Sequence, residues 1–450
     1  MKSTSSYPYI TSAFPPRLFY RLCGLAAILS VSLPSYAVNF GPDDMFSLKG
    51  FAEVTLSATS NYCNMECQRT MGYGKYNKVF DPLKPGKTYE SKGNTQTQFQ
   101  PFLGATYDLG KGFRLSGVIS QRWVNGMVDV YKAGSVWNGF WYEKDISISH
   151  EDYGSLYVGQ MTTRARTIAD FPYGTNLGLS WPWSGNGAGY GLLTNAVRYT
   201  SRLLDVYRGD LTLEATYDMG NTEFKRNKPS FWEFYGHYHR GDLVVDAMLQ
   251  DAKNGTPSAW PQGPFTGLTP YPVDDNLLGE SSQGIAMLMA RYQFNSQIEL
   301  SGGIRHNRWS GANAVSNTYA GYNVMFNVDW GGVLNGVNNP GYSATSNDVM
   351  LGVRYRVGRW VTSAGLIEYG TAKTDNPEER GQGNSALVGA LGLQYDFGDG
   401  LKFNLQGGAV HYSQLGQSPM SLGNNSSINF TDSRVTQSSN WVTAGVVYGF

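Results

Sequence analysis

The feature that most constrains this chain is its ending. Trp441-Val442-Thr443-Ala444-Gly445-Val446-Val447-Tyr448-Gly449-Phe450 reads as one apolar strand that stops at an aromatic ring. Side chains alternate across a strand, so Val442, Ala444, Val446, Tyr448 and Phe450 fall on one face. Trp441, Thr443, Gly445, Val447 and Gly449 fall on the other, which is mostly small and mixed. In a water-soluble sheet such a strand would be an exposed edge inviting aggregation. In a closed barrel within lipid it pairs with the first strand and no edge remains.

The remainder of the chain repeats the same pattern from Met45 onward. Alternating segments of about ten residues are joined by turns that are alternately tight and long. Phe46 to Ser57 places Phe46, Leu48, Ala52, Val54 and Leu56 on one face, and Lys49, Glu53, Thr55 and Ser57 on the other. Gln98 to Leu109 and Phe113 to Trp123 flank the tight Gly110-Lys111-Gly112 turn. Trp360 to Tyr369, Leu387 to Phe397 and Leu401 to Tyr412 follow the same rule, the last two joined at Gly398-Asp399-Gly400. Continued along the chain, the count is about 16 strands, within the range of outer-membrane barrels. Aromatic residues gather at the strand ends, among them Tyr107, Phe113, Tyr217, Tyr292, Trp360, Tyr369, Tyr395, Tyr448 and Phe450. Rings at both rims suit the interfacial girdles of a membrane barrel better than a soluble sandwich. The expected fold class is therefore all-β, an antiparallel transmembrane β-barrel.

Composition narrows the function. Of 450 residues 55 are Gly and only 16% are charged, whereas globular chains average about 7% Gly and about 25% charge. No apolar run approaches the roughly 18 residues of a membrane helix, a test that barrel strands escape because only alternate residues face lipid. Thirty-five basic residues balance 35 acidic ones, which argues against nucleic acid as a partner.

The N-terminus reads as a secretory signal over residues 1–37, leaving the barrel domain at 38–450. Arg17 and Arg21 precede the apolar Leu22 to Val31, and Pro34-Ser35-Tyr36-Ala37 has small residues at the −3 and −1 positions. Of three cysteines, Cys23 leaves with that signal. Cys63 and Cys67 remain in a polar stretch, and export to an oxidising compartment points to a local disulfide. No metal or other cofactor is expected. Two cysteines lack the further ligands a metal needs, and His237 and His239, which share a face with Asp246 on the next strand, read as polar wall residues. Nor does any Gly-x-Ser-x-Gly or compact Ser/His/Asp arrangement suggest an enzyme.

Inward charge follows from strand parity. Lys49, Arg114, Arg122, Arg198, Arg305, Arg354, Arg356 and Lys402 alternate with lipid-facing apolar residues. So do Glu53, Asp108, Glu143, Asp145, Glu214, Glu233, Asp246, Glu299, Glu368 and Asp396. A basic residue on the lipid face costs about 2–4 kcal/mol at the bilayer midplane, so this sorting has an energetic cause.

The chain resembles the general porins of Gram-negative outer membranes, especially the β-proteobacterial type. The resemblance covers essentially the whole of 38–450. Its carriers are Val446-Val447-Tyr448-Gly449-Phe450, the strand Tyr153-Gly154-Ser155-Leu156-Tyr157-Val158-Gly159-Gln160, and hairpins of the Gln394-Tyr395-Asp396-Phe397-Gly398 kind. The resemblance implies a homotrimer of 16-stranded barrels in outer-membrane lipid and lipopolysaccharide, each with a third loop folded inward. It makes Met161 to Asn195 the constriction-loop candidate, with Arg164, Arg166, Asp170, Phe171 and Tyr173 at the narrowing. Family members often carry Pro-Glu-Phe-Gly-Gly here; this chain has Asp170-Phe171-Pro172-Tyr173-Gly174. It also makes Phe450 the signal read by the barrel assembly machinery. The implied function is a water-filled channel for passive diffusion of small hydrophilic solutes and ions. A sugar-selective porin is the alternative, with Trp181 and Trp183 stacking on sugar rings, although large aromatics more often pack a loop against its wall.

Overall fold

The alternation is realised as one closed antiparallel sheet. The computed structural model describes residues 37–62, 90–128, 141–165, 192–219, 228, 230–253, 281–311, 332–334, 337–339, 343–375, 380–381, 383–414, 419 and 437–450. Sixteen strands build the wall: β1 Phe46–Tyr62, β2 Glu90–Gly110, β3 Phe113–Ser120, β4 Glu143–His150, β5 Gly154–Thr162, β6 Leu192–Thr200, β7 Gly209–Asp218 and β8 Ser230–Arg240 form its first half. β9 Leu243–Lys253, β10 Ser281–Gln293, β11 Ile298–Gly311, β12 Ala344–Val357, β13 Trp360–Tyr369, β14 Ala386–Gly398, β15 Leu401–Tyr412 and β16 Ser438–Gly449 complete it. Each pairs with its sequence neighbour. β16 then pairs with β1 through Ala52 opposite Tyr448, Val54 opposite Val446 and Leu56 opposite Ala444. Closure gives every strand two partners, so no unpaired backbone need face lipid, where each such group costs several kcal/mol. A short strand, Val38–Phe40, folds back onto the start of β1.

Residues opposed across an antiparallel ladder share a face, so the register fixes the sidedness of the whole wall. On the outer face Leu103 opposes Ile119, Leu115 opposes Ile148, Leu156 opposes Tyr199 and Ile304 opposes Val349. All of these but Ile119 are exposed, and Leu351 and Leu391 reach 61% and 67% exposure. A contiguous apolar belt of this kind would be an aggregation surface in water. Transferred to lipid, each such side chain gains about 1.5–3 kcal/mol. The belt is therefore the membrane-spanning surface.

The short connections close one rim. In the turns after β2 and β14, Asp108 and Asp396 accept hydrogen bonds from the Gly110 and Gly398 amides at 2.7 and 2.8 Å. A ring cluster decorates this rim, with Phe113 4.4 Å from His150, Trp360 4.5 Å from Tyr395 and Tyr448 6.1 Å from Phe450. At the opposite side of the belt Tyr217 packs 4.4 Å from Trp232. Such amphipathic rings mark the headgroup levels.

Two residues depart from the parity expected from the sequence. Glu368 opposes Val349 and Leu387 and lies on the outer face, while its neighbour Tyr369 opposes Asp348 on the inner face and is fully buried. Tyr369 is thus no girdle residue. Both stand at the end of β13, beyond the centre of the belt, where lipid no longer penalises an outward charge strongly.

Candidate functional site

The inner wall is organised where β5 hands the chain to the third of the long connections, those after β1, β3 and β5. β5 keeps its register with β6 to Gly159 opposite Ala196, then shifts, so that Met161 opposes Leu193. The shift needs Gly159, whose φ is +143° and whose Cβ position would strike the Lys144 carbonyl. Gln160 is buried by the bulge and donates to the Trp141 and Tyr142 carbonyls at 2.8 and 2.7 Å. The strand ends at Thr162 and a helical turn starts at Arg164 and Ala165. The connection thus begins at Thr163 and ends before Leu192, inside the 161–195 span read from the sequence.

Its root is held by wall carboxylates. Arg164 donates from Nε and Nη2 to Glu214 Oε2 at 2.9 and 2.8 Å. The backbone amides of Arg164 and Ala165 point to the two oxygens of Glu233, at 2.8 and 3.3 Å, so a carboxylate caps the turn. Arg198 lies between these carboxylates, 3.7 Å from both Glu214 and Glu233, and donates to Thr216 Oγ1 and the Thr162 carbonyl at 2.8 Å each. Gln250 donates to Glu233. Two arginines and two glutamates therefore neutralise one another in the wall, with their hydrogen-bonding capacity used locally. Arg164 is a clamp on the loop root as well as a lumen cation.

A cavity of about 890 Å³ opens beside this network. Lys49, Phe51, Phe102 and Val447 line it near the closure seam, Gln394, Lys402 and Asn404 continue the lining on β14 and β15, and Glu143, Asp145 and Tyr157 line it on β4 and β5. Arg164 and Arg198 also line it. Lysines and carboxylates both line it, and Asp396 stands opposite Lys402 in the ladder, so charges of both signs act on the space within a low-dielectric wall.

The inner wall toward the long connections has a different character. Met248, Met287, Met289, Met350, Ile367, Val388 and Val410 all face inward there and are at most 5% exposed. Among them Arg305 and Asp348 form a fully buried ion pair, Nε to Oδ2 3.0 Å, with Asn307 and the Gly370 amide completing the carboxylate's contacts at 2.8 and 3.2 Å. Polar-inside alternation does not describe this level of the barrel.

Glu53 shares the inner face with Gln98 and Val447, and Thr55 donates to it at 2.8 Å. Arg122 lies beyond the end of β3, buried, donating to Gln98 at 3.2 Å and Tyr142 at 3.4 Å. Arg114 opposes Asp108 and Ser149 on the inner face near the short turns. Arg354 pairs with Glu299 at 2.6 Å, with Arg291 3.7 Å from the same carboxylate; Arg356 follows on that face. His237 and Tyr235 both hydrogen-bond to Asp246 Oδ1, at 2.7 and 2.6 Å. Phe450 caps the seam, exchanging backbone hydrogen bonds with Gly50. Arg166, Asp170, Phe171, Tyr173, Trp181 and Trp183 lie outside the described residues, as do Cys63, Cys67 and the signal segment to residue 36. Tyr235, Gln250 and Thr216 carry no charge to mark them in the sequence, but their ladder positions opposite Glu214 and Glu233 put them on the same face.

The sequence matches no protein-family model and no curated protein. The fold, however, matches solved structures along most of its length. An anion-selective porin from Comamonas acidovorans superposes with a TM-score of 0.56 at 12% identity, over 90% of this chain and 99% of that one. OmpT, an outer membrane protein of Vibrio cholerae, gives 0.53 at 10% identity over 92% and 100%. The outer membrane channel DcaP of Acinetobacter baumannii gives 0.53 at 12% identity over 92% and 100%. At this identity the shared property is the fold. With its apolar belt, the chain is a closed 16-stranded β-barrel of the outer-membrane type.

Proposed function

We infer that this chain is an outer-membrane porin, a channel for passive diffusion of small hydrophilic solutes and ions, and that it carries out no catalysis. The observation that carries this reading is the charged cavity inside a closed barrel, lined by Lys49, Lys402, Glu143 and Asp145. Charges on an interior wall within an apolar belt have no role in holding the barrel in lipid, but they do set the potential felt by a passing ion. The Arg164–Glu214 and Glu233 contacts fix where the third connection starts, and Arg166, Asp170, Phe171 and Tyr173 are the candidates for its narrowest part. Assembly as a homotrimer in lipid and lipopolysaccharide, insertion by the barrel assembly machinery through Phe450, and removal of residues 1–37 belong to the same reading.

Planar-bilayer recording tests it. Purified protein should produce stepwise, ohmic current in KCl. Silence over a hundredfold range of protein concentration, with protein that is folded by electrophoretic mobility, overturns it.

A further inference from the structure

The cavity is not uniformly polar. Phe51 and Phe102 project into it from β1 and β2, on the inner face where a water-filled wall would carry polar side chains. Lys49 stands directly opposite Phe102 in the ladder and two residues before Phe51 on the same face. Directly opposed residues have Cβ atoms about 5 Å apart, so the Lys49 side chain and the two rings leave the same patch of wall. Lys402 faces the same cavity from β15, between Val447 of β16 and Asp396 of β14. Lys49 and Lys402 have no ion-pair or hydrogen-bond partner for their side chains among the described residues. Arg164 and Arg198 are different, because Glu214 and Glu233 already neutralise them. The available positive charge of the cavity therefore lies on the seam side, against apolar and aromatic surface.

We propose that this patch is a transient binding site for carboxylate solutes bearing an apolar or aromatic body, with the carboxylate on Lys49 or Lys402 and the body against Phe51 and Phe102. The proposal rests on the channel reading and deepens it by naming the solute class. Small hydrophilic anions feel only the lysines. An aromatic carboxylate also removes ring surface from water and stacks on phenyl groups, so it dwells longer. Glu143 and Asp145 lie on β4, three strands from Lys49, and repel the carboxylate toward the seam.

The test uses the full-length protein in planar bilayers in KCl, with benzoate or acetate added to one side. Benzoate should reduce the current saturably, at concentrations roughly tenfold below those of acetate, the scale that one ring contact supports. Lys49→Gln should weaken the block by both anions. Phe102→Ser should bring benzoate to the level of acetate and leave acetate unchanged. Phe51→Leu, which keeps an apolar side chain, reads the loss of a ring should Phe102→Ser fail to insert. Equal block by benzoate and acetate in the wild type, in channels that conduct KCl, overturns this proposal alone; absence of KCl current overturns the channel reading beneath it.

Discussion

The last residue of the chain, Phe450, is paired with Gly50. The Gly50 amide donates to the Phe450 carbonyl at 2.7 Å and the Phe450 amide to the Gly50 carbonyl at 3.0 Å, a reciprocal pair that ends the closure seam. The Phe450 ring crosses Gly50 and lies 6.0 Å from Phe99 and 6.1 Å from Tyr448. A Cβ at Gly50 would stand 2.8 Å from the Phe450 ring and 2.5 Å from the Gln100 carbonyl, so no side chain fits. Gly50→Val should thus prevent the last residue from closing the seam. Deleting Phe450 removes both backbone bonds, whereas Phe450→Ala keeps them and loses ring contacts of about 0.5–1.5 kcal/mol each. Heat-modifiable electrophoretic mobility of membrane fractions should rank folded yield as wild type, Phe450→Ala, then Gly50→Val and the deletion. Equal yields across the series would show that the pair is dispensable.

The clamp at the third connection makes a second prediction. Removing one partner of a buried ion pair costs about 3–5 kcal/mol, less where water reaches it, as it does at the half-exposed Arg164. Glu233→Gln strips a charge from a carboxylate that is 1% exposed and holds two amides of the loop root. Arg164 and Arg198 then face one glutamate instead of two, so the lumen becomes more positive. Reversal potential in a KCl gradient should shift toward anion selectivity, with greater open-channel noise from a loosened root. An unchanged reversal potential would place the arginines outside the ion path.

Most of the architecture was legible because the barrel imposes one rule, period-two alternation, on every strand. The sixteen segments read from the sequence correspond one to one with β1 to β16, and the strand through Tyr157, Val158 and Gly159 leads into the third connection. The rule has physical force only where lipid lies outside and water inside. At Glu368 the outer surface is leaving the belt, so an outward charge is tolerated and parity inferred from charge inverts. At Met248, Met289 and Met350 the inner face is buried, so apolar residues point inward and mimic a lipid-facing set. The Arg164–Glu214 contact joins residues 50 apart in sequence and depends on the Gly159 bulge, which no local pattern announces.

The buried Arg305–Asp348 pair is the third test. Both side chains are at most 1% exposed, and Asp348 also receives Asn307 and the Gly370 amide. Asp348→Ala leaves an uncompensated guanidinium and should cost about 3–5 kcal/mol in urea unfolding from lipid vesicles. Arg305→Met with Asp348→Leu removes both charges and should recover most of that loss. A double variant as weak as the single one would mean that the Asn307 and Gly370 contacts, rather than the ion pair, hold this level of the wall.

The depth of the belt can be measured by moving one charge along it. Leu351, at the middle of β12 and 61% exposed, opposes Gly302 on β11 and Leu366 on β13 and points into the apolar belt. Leu351→Arg should lower stability by about 2–4 kcal/mol, the cost of a basic residue at the bilayer midplane. Glu368→Arg exchanges one charge for another at the end of β13 and should cost no more than about 1 kcal/mol, the value near the interface. Urea unfolding in vesicles of two acyl-chain lengths separates the effects. The Leu351→Arg penalty should grow with thicker bilayers, because snorkelling to the headgroups becomes longer, while the Glu368→Arg value stays flat. Equal penalties at the two positions would contradict the assignment of Glu368 to the rim and would require the belt to extend over the whole outer face of β13.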